Sequence, residues 1–170
     1  MIITITGTPG TGKTYIAKKV AEKTNFRYLN LNKIIKKEKL YERYDKKAKT
    51  YDVEVKKLKI IDKKLNEYLD KKNSKITDDS QPKKTTLQKL IKELKNKKKT
   101  RNIVIDSHLS HYLKSDLCIV VKSDIKKISE RLKKRKYSIK KIRENIESEI
   151  FDVCLEEAKQ QKRNIVILYN

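Results

Sequence analysis

The chain has 170 residues, and its 45 Lys and Arg against 22 Asp and Glu give a formal net charge of +23. That length is typical of one domain large enough for a hydrophobic core, and the apolar residues, 36 % of the chain, are gathered into short runs. No run approaches the roughly 18 apolar residues of a membrane-spanning helix, and the N-terminus lacks a secretory signal. We therefore expect a soluble, cytoplasmic protein with no membrane partner.

The excess of Lys and Arg has two explanations that the sequence leaves open. A chain rich in Lys, Ile and Asn is typical of an AT-rich genome. The same unbalanced positive charge is also typical of a surface that binds RNA.

A phosphate-binding loop follows the first predicted strand, Ile2–Thr6. All three glycines of the chain lie in the window Gly7–Thr14, which fits the P-loop pattern G-x-x-x-x-G-K-[ST]. The glycines let backbone N–H groups turn toward phosphates, and Lys13 adds a positive charge for the β- and γ-phosphates. Thr14 offers its hydroxyl to Mg²⁺, and the helix after it points its positive end at the anion. The sequence therefore predicts an ATP site.

The remaining patterns alternate between short apolar runs and helical spacing. Together with the P-loop, this alternation predicts an α/β fold of three layers, a P-loop NTPase with a five-stranded parallel sheet and helices on both faces. The other predicted strands are Phe26–Asn30, Asn102–Ile105, Leu117–Val121 and Asn164–Leu168. The predicted helices cover residues 31–39, 58–69, 83–99, 125–132 and 139–155, the last capped by Ser138, with an exposed loop over 71–82 and a basic hinge over 133–137.

A second chemical element is the apolar strand that ends at Asp106. A strand followed by Asp is the usual form of a Walker B element, whose carboxylate holds Mg²⁺ directly or through water. His108 follows at the carboxyl end of the strand, where ligands bind in open α/β sheets, and we expect it to orient or deprotonate an attacking water. His111 has no such placement and is predicted to be structural.

Two arginines precede the hinge one helical turn apart. Arg131 and Arg135 lie either on a solvated helix face or against phosphates, and the planar guanidinium group favours phosphate binding. The two cysteines, Cys118 and Cys154, show no metal spacing and are predicted to be core residues.

Seven motifs together resemble the adenylate kinase isoenzyme six family, the nuclear and archaeal type that is also a ribosome-assembly ATPase. The resemblance covers most of the chain apart from roughly residues 66–99. The motifs are Gly7–Thr14, Tyr41–Asp45, Asp106–His108, Arg131–Leu132, Arg135–Ser138, Glu144–Asn145 and Glu156–Ala158.

The resemblance implies a fold of the nucleoside monophosphate (NMP) kinase type, transfer of a phosphoryl group from ATP to AMP or another NMP, and a slower ATPase activity, with Mg²⁺ as cofactor. It also implies a role in late maturation of the small (30S) ribosomal subunit and its 16S rRNA, through a ribosomal protein of the S-eleven type. Residues 30–53 would form the NMP-binding segment and residues 134–144 the lid. The residues that would hold ATP are Gly10, Gly12, Lys13, Thr14 and Tyr15, with Arg135 from the lid.

Two substitutions depart from the family pattern. Lys36 stands in place of an arginine, which weakens a bidentate clamp on the NMP phosphate, and Lys136 replaces a glycine of the lid turn. Two other functions stay open: an ATPase that acts as an assembly switch on pre-ribosomal RNA and protein, and a small-metabolite kinase such as a shikimate or cytidylate kinase.

Overall fold

The computed structural model describes residues 1–45, 50–69, 83–95, 102–161 and 164–170. Strands and helices alternate along most of these residues. The strands are β1 Ile2–Thr6, β2 Arg27–Asn30, β3 Arg43–Asp45, β4 Thr50–Asp52, β5 Lys83–Lys84, β6 Ile103–Asp106, β7 Leu117–Lys122 and β8 Ile165–Tyr169. The helices are α1 Lys13–Thr24, α2 Leu31–Lys37, α3 Leu58–Leu69, α4 Leu87–Lys95, α5 Ile125–Lys134, α6 Ile139–Ile150 and α7 Val153–Gln160.

The main sheet is parallel and has the order β2-β6-β1-β7-β8-β5. The five strands predicted from the sequence form its body, so the predicted fold class is confirmed. The sixth strand, β5, has two residues at the edge and was not predicted. Because β6 and β7 flank β1, the carboxyl ends of these three strands place the P-loop beside Asp106 and Ser123.

Both faces of the sheet are covered by helices. Ile3 and Ile5 of β1 pack on one face against α1 and α4, whereas Ile2 packs on the other against α2 and α3. Farther along that second face, α7 covers β7 and β8. The period of two along each strand thus divides the apolar side chains between two cores, as expected for a buried parallel sheet.

Three features differ from the sequence prediction or extend it. β3 and β4 form an antiparallel hairpin that the sequence did not predict. The prediction of one long helix over 139–155 is wrong, because Asp152 adopts the left-handed conformation (φ 53°) and separates α6 from α7. The predicted loop over 71–82, and residues 96–99 of the predicted basic helix, lie outside the described residues.

Within the ranges that the structure describes, no helix is both long enough and apolar enough to cross a bilayer.

Candidate active site

The P-loop joins β1 to α1 in a conformation that needs glycine at two of the predicted ATP-binding positions. Gly10 and Gly12 have φ angles of 100° and 90°, which L side chains rarely adopt. A Cβ on Gly10 would lie 3.0 Å from Cγ2 of Ile128, and one on Gly12 would meet the side-chain amide of Asn170. Packing against α5 and the end of β8 therefore fixes the shape of the loop.

Thr14 and Asp106 meet at the start of α1. The Thr14 hydroxyl donates a hydrogen bond of 2.7 Å to Oδ2 of Asp106, and the Tyr28 hydroxyl donates a second of 3.1 Å to the same oxygen. Oδ1 of Asp106 is buried without a hydrogen-bond partner. A buried carboxylate oxygen without a donor is a site where a cation is favourable.

These groups fit a magnesium ion. Mg²⁺ in phosphoryl-transfer sites is held by one or two protein oxygens together with phosphates and water, and Thr14 and Asp106 supply two such oxygens. Among the residues that the structure describes, no cluster of three His, Cys, Asp or Glu side chains could hold a metal by itself. Such a site would therefore depend on nucleotide phosphates for its other ligands.

Lys13 begins α1 beside this carboxylate. Burial lowers the pKa of the Lys13 ammonium, and the negative charge of Asp106 opposes the shift. The charge of Arg135 acts in the same direction as burial, so Arg135 lies within electrostatic range of Lys13. A bound triphosphate would offset the repulsion between these two cations.

A cavity of about 620 Å³ opens next to Lys13. Its wall includes Asn32 and Tyr51 from the predicted NMP-binding segment and Lys141 from the predicted lid. His108 lines the cavity and is exposed to it. The surrounding protein lowers the pKa of His108 to about 4, and the charges of Lys13 and Lys141 act in the same direction. The ring is therefore neutral at pH 7 and able to accept a proton.

The two arginines take different positions. Arg131 donates from Nη1 to the carbonyl oxygen of Gly10 (3.0 Å) and to the Ser123 hydroxyl (3.3 Å), so it supports the P-loop from the side of α5. Arg135 is exposed at the end of α5. Tyr15 is also exposed, and its hydroxyl accepts a hydrogen bond from Lys19.

The turn of the predicted lid joins α5 to α6. Lys136 has a φ of 56°, the left-handed conformation that glycine adopts without strain. This backbone conformation is therefore one that glycine would adopt more readily than Lys136 does. Ser138 caps α6 as predicted, because its hydroxyl accepts from the N–H of Lys141.

One cysteine differs from its predicted place. Cys118 is buried in the core, whereas Cys154 is half-buried and lines the cavity. The left-handed turn at Asp152 causes this difference, since it redirects α7 so that Cys154 and Glu157 reach the cavity wall. His111 is buried in the protein as a structural histidine would be, with Nδ1 2.8 Å from the Thr6 hydroxyl.

Sequence reasoning missed three polar groups near the site. Tyr28 binds Asp106, Ser107 donates a 2.8 Å hydrogen bond to Oδ1 of Asn32, and Asn170 donates a 2.8 Å hydrogen bond to the carbonyl of Thr11. Ser107 and Asn170 follow the carboxyl ends of predicted strands, whereas Tyr28 lies within one. For Ser107 and Asn170 that position was the available signal, because parallel strands bring these ends to one edge of the sheet.

Comparison with known proteins agrees with this geometry. Residues 3–152 match a family model described as an AAA domain. The chain is 36 % identical to "Putative adenylate kinase" of Methanocaldococcus jannaschii, over 94 % of this chain and 72 % of that protein. It is 37 % identical to the protein of the same name from Pyrococcus furiosus, over 98 % of this chain and 73 % of that protein.

A eukaryotic relative and a solved structure extend the comparison. "Adenylate kinase isoenzyme 6 homolog" of Schizosaccharomyces pombe is 35 % identical, over 93 % of this chain and 74 % of that protein. The unliganded crystal structure of a sugar kinase from a Janibacter species superposes with a TM-score of 0.53 at 14 % identity, covering 99 % of this chain and 84 % of that one, which is a likeness of fold alone. The P-loop faces Asp106, and the adenylate kinase relatives match nearly the whole chain. The chain therefore belongs to the family described as an AAA domain and to the adenylate kinase isoenzyme 6 family.

Proposed function

We propose that the protein is a nucleoside monophosphate kinase that transfers the γ-phosphoryl group of ATP to AMP or another NMP. The observation that carries the proposal is the pair formed by Thr14 and Asp106, with the unpartnered Oδ1 of Asp106 beside the P-loop lysine. The names of the relatives support the same reaction class.

Each residue has a role that positioning and electrostatics can supply. Lys13 and Arg135 offset the negative charge that spreads over the transferring group, and Thr14 and Asp106 hold Mg²⁺. The ion that Thr14 and Asp106 would hold supplies positive charge, which offsets part of the negative charge of the phosphates. The cavity next to Lys13 gives an acceptor nucleotide access, with Asn32 and Tyr51 on one wall and Lys141 on another. No covalent intermediate is required.

We further propose a slower ATPase activity in which His108 acts on water. Its ring lines the cavity beside Lys13, and a pKa of about 4 keeps it neutral near pH 7. A neutral imidazole can orient a water molecule by accepting a hydrogen bond at its unprotonated nitrogen. When an acceptor phosphate is bound, it is already nucleophilic and held by its own contacts, so His108 matters less for transfer.

A substrate panel tests the reaction. We expect ADP production that depends on AMP and on Mg²⁺, and we expect Lys13→Ala to abolish it in a protein that still folds. Lys18→Ala, an exposed lysine one turn along α1, is the matched control and should leave the rate unchanged. Near-normal turnover in folded Lys13→Ala would contradict the proposal. ATP hydrolysis unaffected by any acceptor would favour the assembly-switch ATPase, and phosphorylation of a non-nucleotide would favour a small-metabolite kinase.

His108→Ala separates the two activities. We expect it to lower ATP hydrolysis more than transfer to AMP, measured on the same preparation. Equal losses in both reactions would assign His108 a structural role or a role in the Mg²⁺ site instead.

We also propose that the enzyme acts in the cytoplasm, in late maturation of the small ribosomal subunit and its 16S rRNA, with a ribosomal protein of the S-eleven type as partner. The family to which the chain belongs and the net charge of +23 support this proposal. Within this proposal, the basic segment 83–99 binds the RNA. Its densest part is Lys97, Lys98 and Lys99, which lie outside the described residues.

The salt dependence of RNA binding tests the ribosomal role. Each phosphate contact releases counterions, so log affinity falls linearly with log salt concentration. Replacing Lys97, Lys98 and Lys99 by Gln should reduce the magnitude of that slope by up to about three. Replacing the exposed lysines Lys18, Lys59 and Lys126 is the control of equal charge and should flatten it less. Equal slopes in the two triple variants would contradict an RNA surface at 83–99. No RNA binding near physiological salt would assign the charge to genome composition.

A further inference from the structure

Ser123 is a buried residue that the proposed reaction does not use. It directly follows β7, and it is 8 % exposed. Its N–H donates to Oε1 of the buried Glu149 (3.1 Å), and its hydroxyl donates to the backbone oxygen of Asn170 (2.6 Å). The same hydroxyl accepts from Nη1 of Arg131 at 3.3 Å. One serine thus bonds to α5, to α6 and to the residue that follows β8.

Two of these partners, Arg131 and Asn170, also form hydrogen bonds with the P-loop. Arg131 also donates to the carbonyl oxygen of Gly10 (3.0 Å), and the Asn170 side chain donates to the carbonyl oxygen of Thr11 (2.8 Å). In a planar trans peptide the C=O and the following N–H point in opposite directions. Because Asn170 holds the Thr11 carbonyl, the N–H of Gly12 is directed away from Asn170. Fixing carbonyls on one side of the loop therefore orients N–H groups on the other side.

The remaining partner connects Ser123 to the lid. Arg131 lies on α5 and Glu149 on α6, and the predicted lid turn joins these two helices. Glu149 is 6 % exposed, and its negative charge raises the pKa of Lys13, so it also lies within electrostatic range of the P-loop lysine. Both helices that carry the lid are thus bonded to Ser123, and Ser123 is bonded through Arg131 and Asn170 to the loop.

We propose that Ser123 is a positioning residue for ATP, which holds the P-loop carbonyls in their phosphate-binding arrangement and ties both lid helices to the loop. It acts through Arg131 and Asn170 and does not itself touch the nucleotide. This inference rests on the proposed kinase function.

The test combines a deletion, a conservative replacement and a control. Ser123→Ala removes the hydroxyl and leaves the N–H group that donates to Glu149. Ser123→Thr keeps a hydroxyl at the same position. Ser129→Ala, the control, removes a hydroxyl from α5. Binding is measured by titrating each protein with a fluorescent methylanthraniloyl-ATP, and kcat and both KM values are measured with ATP and AMP. We expect Ser123→Ala to bind the analogue about tenfold more weakly, as the loss of one or two hydrogen bonds gives. The KM for AMP should stay within about twofold, and Ser123→Thr should restore ATP binding.

Four results would overturn the inference. Ser123→Ala could bind the analogue as tightly as the unaltered protein, it could lose affinity for ATP and AMP equally, or Ser123→Thr could remain as weak as Ser123→Ala. Ser129→Ala losing as much affinity would also overturn it. An unaltered protein that binds no ATP would refute the proposed function itself, and with it this inference, so the two failures are distinguishable.

Discussion

His111 makes the stability of the fold depend on pH. The ring is 0 % exposed, and Nε2 is buried without a hydrogen bond, 3.1 Å from Oε2 of Glu157. Burial, and then the positive charge that His108 gains at acid pH, lowers the pKa of His111 to about 4 from an ordinary value of 6.5. Protonation therefore favours the unfolded chain. The stability that depends on a neutral ring is fully present above pH 6.5 and is lost as the pH falls toward 4.

The size of this loss follows from the two pKa values. Between pH 7 and pH 5 the linkage relation gives about 2 kcal/mol, and by pH 4 it gives about 3 kcal/mol. We expect the free energy of unfolding in urea to fall by about 2 kcal/mol more for the unaltered protein than for His111→Gln over pH 7 to 5. Carboxylates titrate in both proteins, so their contribution cancels in the difference.

A second measurement covers the case in which His111→Gln does not fold. The NMR shift of the His111 ring in the unaltered protein should titrate with a midpoint near 4, distinguished from the other histidine, His108, by using His108→Ala. Equal pH dependence in the two proteins, or a midpoint near or above 6.5, would refute the reasoning. Such a result would mean that the carboxylate of Glu157 outweighs burial and keeps the ring charged.

Two further predictions concern the P-loop and its Walker B partner. Tyr28→Phe removes a hydroxyl that donates to Asp106 at 3.1 Å. Because hydrogen bonds to charged groups contribute about 1.5–3 kcal/mol, we expect a loss of that size in the free energy of unfolding. Tyr169→Phe, at an exposed tyrosine, is the comparison, and unchanged stability of Tyr28→Phe would contradict the bond. Gly10→Ala places a Cβ 3.0 Å from Ile128 at a φ of 100°. We expect it to lower the free energy of unfolding in urea by about 1–3 kcal/mol and to weaken ATP binding. A variant as stable as the parent would contradict this strain and show that the loop relaxes.

The body of the sheet could be predicted because each strand carries its own signal. Runs such as Ile103–Asp106 are apolar on both faces and are bounded by polar residues, which is typical of a buried parallel strand. The hairpin of β3 and β4 lacked such a signal, since its strands have three residues each and the described residues of β3 are exposed. The break between α6 and α7 also escaped prediction. Ile146, Ile150, Val153 and Leu155 continue a nearly helical spacing across it, and the turn at Asp152 is held by an ion pair with Lys122 that only the fold creates.

The residues of the candidate site also differ in how far the sequence predicts them. Lys13, Thr14 and Asp106 could be singled out because each belongs to a local sequence motif. Ser123 and Asn170 belong to no local motif, and their importance depends on strand order, which sets the ends of β7 and β8 against the P-loop. A sequence pattern therefore predicts which residues face phosphate more readily than which residues hold them in place.

The turn at Asp152 gives the protein a built-in chemical reporter. Cys154 is the half-buried thiol of the cavity wall, and the chain's other cysteine, Cys118, is buried in the core. Burial raises the pKa of Cys154 to about 11, so only about one thiol in a thousand is ionised at pH 8 and alkylation will be slow. A thiol-selective dye attached by long incubation near pH 8 would therefore sit in the cavity without any engineered residue, and its fluorescence would report whether a nucleotide occupies the cavity.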